Sequence, residues 1–582
     1  MLIVSFIVII FVTAIVLIAT LTGHKDNDIH KSDVPVEFPT DIPHIIPDYE
    51  LPEPPKVLPD NLEDLLKDVD PGLVEQKTKE IENSIKGTGR YYYAEALHKS
   101  FLFYQAQRSG KLPYQVLAWR TDSCFECKGP GGEDLSGGYY EAANTMKWGF
   151  PKAFTLTQLA WNIVEYGDAM KSVNELNEAM EALKWGTDYL INAHPEPLKF
   201  VGQFGRSTID FEYFGPPEEY EKWARGPKVA TYITPENRST EILCETAAAM
   251  SAAAIVFKTT NPEYSALLIE HAKQLYAFGR DYPGTFNTST DEGFKEQFKW
   301  YPSTSYTDEL VWAAVWLYKA TGDEFFLKEA ETNYALHITY SGVEYSWDDK
   351  APGIHILLAA ITNKDQYHLQ AIDFFKKWLP GKDRSIKHTP KGLGYFYHWG
   401  SNRYAANTSF LCFTYAKTIK NKSPEFSASL IEYAEFQLNY ILGDGGRSWM
   451  VGFGNKSPLL PYHKSSYNAY IDFPLRGQLG NLEIGGDFLM SRTPNRFIAY
   501  GALVGGPLEN DDYVDNRENY EYTEVTQDYN AAFTGALAAL VEIHGGKPFS
   551  HCNLDFGWDH PNAEKEKRAV WPDDDCYHKC CA

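Results

Sequence analysis

The sequence predicts an all-α protein whose active face is built from long loops. Three observations carry this. Apolar residues recur at helical spacing from Tyr91 to about Gly546, period-two alternation is scarce over the same stretch, and loops rich in Gly, Pro and aromatics separate the helical runs. At 582 residues with 44% hydrophobic content, the chain is long enough to bury a large core in one or two domains.

The elements follow in chain order. Residues 1–23 form the first, MLIVSFIVIIFVTAIVLIATLTG, which contains no charged side chain. Its apolar run of about 20 residues is enough to span a bilayer, longer than the roughly 7–15 of a signal-peptide core. A retained anchor is therefore favoured over a cleaved signal. No Lys or Arg precedes the run, and Lys25 and Lys31 follow it, so charge does not fix its orientation. Either way the chain is expected to enter the secretory route, membrane-anchored with an extracellular or lumenal domain, or secreted if 1–23 is removed. Residues 24–86 read as a stalk, because Pro and acidic residues favour extended chain over packing. A short amphipathic helix around Leu62–Ile85 ends it.

The main domain is 87–546. Leu97, Phe101 and Tyr104 fall at i, i+4 and i+7, and Leu156, Leu159, Ala160 and Ile163 repeat the pattern. The runs 246–257, 308–323 and 531–546 read as further helices, several closed by Gly. Residues 547–582 are a tail with Cys576, Cys580 and Cys581, which can pair with one another or with Cys552. Lys565-Glu-Lys-Arg568 resembles a basic processing site, although a solvated, disulfide-stapled tail is the simpler reading.

Charge and aromatics narrow the function. A formal charge of −24 and the lack of a basic stripe argue against nucleic acid as a partner. Aromatics make up 15% of the chain, with 14 Trp and 38 Tyr. A large core explains that as well as stacking platforms for sugar rings do. Cys124 and Cys127 read as a disulfide-stapled loop, since no second CxxC accompanies them; Cys244 and Cys412 sit in apolar helical runs as packed thiols. The sequons at Asn237, Asn287, Asn407, Asn421 and Asn455 permit glycosylation.

Polar chemistry gathers in three loops set among Gly, Tyr and Trp. The first, SGGYYEAANTMKWGFPKAF (136–154), carries Glu141, Asn144 and Trp148, with Asp134 just before it. The second, GRSWMVGFGNKSPLLPYHKSS (446–466), carries Tyr462, His463 and Lys464. The third, DDYVDNRENYEYTEVTQDYNAAF (511–533), carries Asp515, Arg517, Glu524 and Asp528.

These residues point to a family. The chain resembles glycoside hydrolase family 9, the endo-β-1,4-glucanases, most like the animal-type members. YYYAEALHKSFLFYQAQRSGKLP looks like the family's opening helix, and Trp119, Arg120, Asp122 and Ser123 match its W-R-x-D-S. YPSTSYTDELVWAAVWLYKATGD, YSWDDKAPG, WGSNRYAAN, LGDGGRSWMVGFG, YGALVGGP and DYNAAFTGALAAL follow in the family's order. The resemblance implies an (α/α)6 barrel with an open cleft and an inverting mechanism on β-1,4-glucan. In that mechanism an acid protonates the leaving oxygen while a carboxylate activates water on the opposite face.

Carried over residue by residue, the acid falls on Glu524 and the Asp of D-x-R on Asp515, with Arg517 kept. The family's G-G-[WY]-Y-D-A-G-D becomes Gly137-Gly-Tyr-Tyr-Glu-Ala-Ala-Asn144. Its water-holding Asp is Glu141, and its catalytic base is Asn144. An amide orients water but takes no proton near neutral pH, and general-base help is typically worth about 10²–10⁴ in rate. The family's P-H-H-R is Pro461-Tyr462-His463-Lys464, which exchanges a bidentate guanidinium for a point charge. In D-H-x-x-W, Asp210 stays while Phe211 and Phe214 replace His and Trp, and Thr523 replaces the Asn before the acid.

The resemblance leaves two expectations open. One is a binder of β-glycan, catalytically impaired or dead; the other is an active glucanase using Glu141, one methylene longer, as substitute base. Trp148, Trp399 and Tyr467 are candidate sugar platforms or core. No cofactor is required. Glu241, Glu245 and Asp308 match acids that hold a structural calcium in some members, with helix capping the simpler explanation.

Overall fold

The computed structural model describes residues 79–550, apart from 81, 114–116, 118, 214 and 468–488. The expected membrane segment, most of the expected stalk and most of the tail lie outside the described residues, as do Phe214 and most of the helix expected near 62–85, of which 79–80 and 82–85 are helical.

Twelve long helices among the described residues build the domain. In chain order they are α1 (Tyr93–Ala106), α2 (Gly149–Ser172), α3 (Leu176–Asn192), α4 (Thr240–Phe257), α5 (Pro262–Asp281), α6 (Thr307–Thr321), α7 (Glu324–His337), α8 (Ala351–Thr362), α9 (Asp365–Trp378), α10 (Ser401–Ile419), α11 (Pro424–Asn439) and α12 (Gln527–His544). The even-numbered six pack side by side in sequence, and α12 closes the ring against α2. The odd-numbered helices lie outside, each against its neighbours in the ring. This is the double ring of an α/α barrel.

Composition separates the rings. Inner α4, TEILCETAAAMSAAAIVF, is buried almost all round, as a helix apolar on every face must be. Its mean hydropathy of 1.4 over 18 residues would suit a membrane span, yet 89% of it is covered by the rest of the barrel. Outer α3 buries Ala179, Ala182, Leu183, Gly186 and Leu190, a single stripe at i, i+3, i+4 and i+7. Where inner helices meet, large rings interlock edge to face. Trp161 packs on Trp312 and Trp316 with centroids 5.7 and 5.8 Å apart, a spacing that suits the aromatic quadrupole.

Helix ends are chemically marked. Asn261 accepts from the Tyr264 N–H with Pro262 at the first helical position, and Thr526 caps α12 through the Tyr529 N–H at 3.1 Å. Gly322 ends α6 at φ 70°, where a side chain would be strained. The loops on one face carry short strands: β1 (Lys147–Trp148), β2 (Phe200–Phe204) and β3 (Ala230–Ile233) form an antiparallel sheet with β2 central. β4 (Lys387–His388) and β5 (Gly394–Tyr395) form a second antiparallel pair.

The Cys124–Cys127 disulfide forms as expected, and Cys244 and Cys412 are buried thiols. Asn407 corrects the glycosylation reading: it lies fully buried inside α10 and donates to the Tyr345 carbonyl at 2.7 Å, which leaves no room for a glycan in the folded barrel. Asn421 and Asn455 are exposed.

Candidate active site

The opening loop, the 460–467 segment and the chain entering α12 are stitched together by backbone. Gln527 N–H donates to Glu141 O at 2.9 Å, Lys464 N–H to Ala143 O at 2.9 Å, and Tyr462 N–H to Thr523 O at 2.9 Å. Tyr462 and Glu524 pair as a parallel bridge. Gly138 turns the loop at φ 73°, and a Cβ there would meet the Tyr189 ring, so glycine is required.

Glu524 is half-buried at this junction. Burial pushes its carboxyl up to about 8, against the pull of the Ala143 backbone N–H and Lys464. It is therefore protonated at neutral pH, the state a general acid needs.

The opposite side differs in kind. Asn144 Oδ1 accepts from the Met146 N–H at 3.0 Å. Its oxygen is thus committed to the backbone, and the NH2 end is engaged by no described residue. Glu141 is wholly buried, and neither carboxylate oxygen has a hydrogen-bond partner among the described residues. Burial pushes it up to about 8, with the Lys152 ammonium opposing.

Buried cations hold this loop. Lys147 donates to the Leu135, Ser136 and Gly137 carbonyls, and Lys152 to the Tyr139 carbonyl. Lys228 donates to the Thr145 carbonyl and hydroxyl, both at 2.6 Å, and pairs with Asp210 at 3.3 Å. Lys464, lowered to about 8 by burial against the pull of Asp210 and Glu524, donates to the Asp210 and Tyr213 carbonyls at 3.0 and 2.8 Å. His463, lowered to about 3 by burial, bonds Gln107 through Nε2 at 2.9 Å, and Gln107 holds the Ala142 carbonyl. Because His463 Nδ1 accepts from Ser466 N–H, the proton sits on Nε2. His463 and Lys464, two of the residues expected on the substrate side with Tyr462, Trp148, Trp399, Arg517 and Tyr467, thus support the loops.

Other expected site residues scatter between roles. Asp515 accepts from the Leu459 and Leu460 N–H groups at 2.7 and 3.2 Å, which anchors the second loop. Arg517 donates to Asn495, Ser491 and Thr493 and lies 4.2 Å over the Tyr467 ring. Tyr467 is 7% exposed beneath it. Trp148 is 1% exposed against Tyr301, so it is core and no platform. Trp399 is half-buried and packs on Tyr520 at 5.5 Å, and Tyr520 meets Tyr462 at 6.1 Å. With Tyr520 exposed at 41%, these three rings form an aromatic strip that leads to Glu524.

The calcium expectation fails on chemistry. The Lys350 ammonium stands between Glu245 and Glu309 at 3.2 and 3.0 Å, and Asp308 accepts from the Lys350 N–H. Glu241 accepts instead from Thr285 and the Phe286 N–H. Three acids wrapped on a lysine or on separate donors do not fit a divalent cation. Among the described residues no metal-binding cluster occurs.

Sequence reasoning passed over the Arg403–Asp528 pair at 2.8 Å and over Lys152, Lys228 and Gln107. WGSNRYAAN and TQDYN contain the pair, but only the fold brings them together.

A loop-faced α/α barrel with a half-buried carboxylic acid beside exposed aromatic rings is a class of site suited to sugar rings. Residues 93–537 match Glycosyl hydrolase family 9, and the chain belongs to that family. It is 37% identical over 472 residues to Endoglucanase B of Cellulomonas fimi, covering 79% of this chain and 43% of that one. Endoglucanase 2 of Oryza sativa is 35% identical, covering 85% of this chain and 83% of that protein. The endoglucanase of the termite Nasutitermes takasagoensis superposes with a TM-score of 0.70 at 38% identity, covering 78% of this chain and 99% of that one. Endoglucanase CelQ of Clostridium thermocellum, complexed with cellotriose, gives 0.69 at 30% identity over 80% and 73% of the two chains.

Proposed function

We propose that this chain is a β-glycan-binding member of its family in which hydrolysis is lost or strongly impaired, displayed by an N-terminal anchor and stalk in the secretory route. The observation that carries this is Asn144. An amide whose oxygen already serves the Met146 N–H stands where the family's sequence pattern places the base. Water attacking an anomeric carbon must shed a proton, and the amide of Asn144 accepts none. Glu141 does not rescue the step, because it is sealed and holds its own proton near neutrality.

Binding is supported by what is kept. The strip Trp399, Tyr520, Tyr462 offers ring faces beside Glu524, and stacked rings suit the apolar faces of pyranoses. A relative of this fold takes cellotriose.

Calorimetry with cellohexaose, alongside a reducing-end assay on the same protein, tests the reading. Binding without release of reducing ends is expected. Hydrolysis by the unmodified chain that disappears in Glu524→Gln would overturn it.

A further inference from the structure

We propose that the cleft transfers glycosyl units, with inversion, to a small oxyanion nucleophile such as inorganic phosphate instead of to water. This rests on the preceding reading, in which Glu524 is the acid and Asn144 stands on the nucleophile's side.

A hydrolase needs a base only because its nucleophile is water. An anionic oxygen needs no such proton removal, so a single acid suffices for the displacement. Two negative carboxylates on that side would repel such an anion, and here that repulsion is absent. Asn144 is uncharged, and because its oxygen serves Met146, the NH2 group is the end able to donate to an oxyanion. Glu141 lies sealed beside Lys152. Among the described residues, Asp210 is paired with Lys228 at 3.3 Å and Lys464 at 3.9 Å, and Asp528 with Arg403 at 2.8 Å. The site has kept its acid and lost the features that would exclude an anion.

The step balances. A phosphate oxygen forms a bond to C1 from the face opposite the leaving group, while the C1–O4 bond breaks and its electron pair goes to O4. The Glu524 proton passes to O4, giving a shortened chain with a free 4-hydroxyl and an α-glycosyl phosphate. The proton carried in on dihydrogen phosphate is released to solvent, from which Glu524 recovers its own. No oxidant or reductant is involved.

Phosphorus NMR on the protein with cellopentaose and inorganic phosphate reads the product directly. An α-glycosyl phosphate is expected, rising with phosphate concentration and lost in Glu524→Gln. Asn144→Asp should reduce it about tenfold or more, because a carboxylate would repel the anion and remove the NH2 donor. Azide, a smaller anion, should likewise give an α-glycosyl azide. If neither product forms while cellopentaose still binds, transfer to anions is wrong and the non-hydrolytic reading stands. A β-configured product would also refute it. Phosphate-independent release of reducing ends would overturn the underlying reading instead.

Discussion

An aspartate at position 144 would keep the hydrogen bond that Asn144 makes, since either side chain offers an oxygen to the Met146 N–H. The substitution therefore alters charge and proton affinity with little effect on the loop's path. Asn144→Asp combined with Glu141→Asp should raise hydrolysis of soluble β-1,4-glucan by about 10²–10⁴-fold, the usual worth of a general base, as read by reducing ends. No gain from the pair would shift the defect to Tyr462 and Lys464. The two tryptophans separate by the same residue-level logic. Trp399→Ala should weaken cellohexaose binding by roughly tenfold, the loss of one stacked ring, with the melting temperature nearly unchanged. Trp148→Ala, at 1% exposure, should cost about 3–5 kcal/mol of stability as a core truncation does. If Trp148→Ala weakened binding without destabilising the fold, its assignment to the core would be wrong.

Among the elements, the loop entering α8 (Tyr345 to Lys350) holds a charge cluster that replaces the expected calcium site. Lys350 neutralises Glu245 and Glu309, and all three are completely buried. Its ammonium is held well above the usual range because attraction to Glu245, Glu309 and Asp308 exceeds the burial penalty. Lys350→Met leaves those acids uncompensated and should cost about 3–5 kcal/mol in a denaturant titration. Added calcium should not restore the loss; restoration would revive the metal site. Here the limits of the sequence are visible. The helices were legible because Leu97, Phe101 and Tyr104, or the alanine-rich run of α4, carry their period locally. Glu524 and Asn144 were legible through motif order. Lys350 is printed inside YSWDDKAPG, yet its partners lie 41 and 105 positions away, and no local pattern encodes such a meeting. His463 and Lys464 stand in a motif that the sequence shows, but their bonds to Gln107 and to the Asp210 and Tyr213 carbonyls do not show there, since a sequence does not reveal which donors the fold will consume.

Across the whole molecule, buried acids and histidines set opposing dependences of stability on pH. Burial raises Glu141 and Glu344 each to about 8, far above the usual carboxylate range. The folded chain therefore holds protons that the unfolded chain releases, and stability falls as pH rises from the unfolded value toward 8. His355 and His463, both lowered to about 3 by burial, act the other way. They add stability as pH rises from about 3 to about 6.5, where the unfolded imidazole has given up its proton. Below about 6.5 the two trends offset each other, but between about 6.5 and 8 only the acids still change. Lys152 and Lys464, lowered to about 8 by burial, lend stability only above that, as the unfolded lysines lose their protons. The melting temperature should thus decline between about pH 6.5 and pH 8, and Glu141→Gln should flatten the decline by removing one of its sources. Melts of both proteins across this range would decide it; a decline equally steep in Glu141→Gln would mean that Glu141 is ionised in the folded chain, which would restore it as a candidate base.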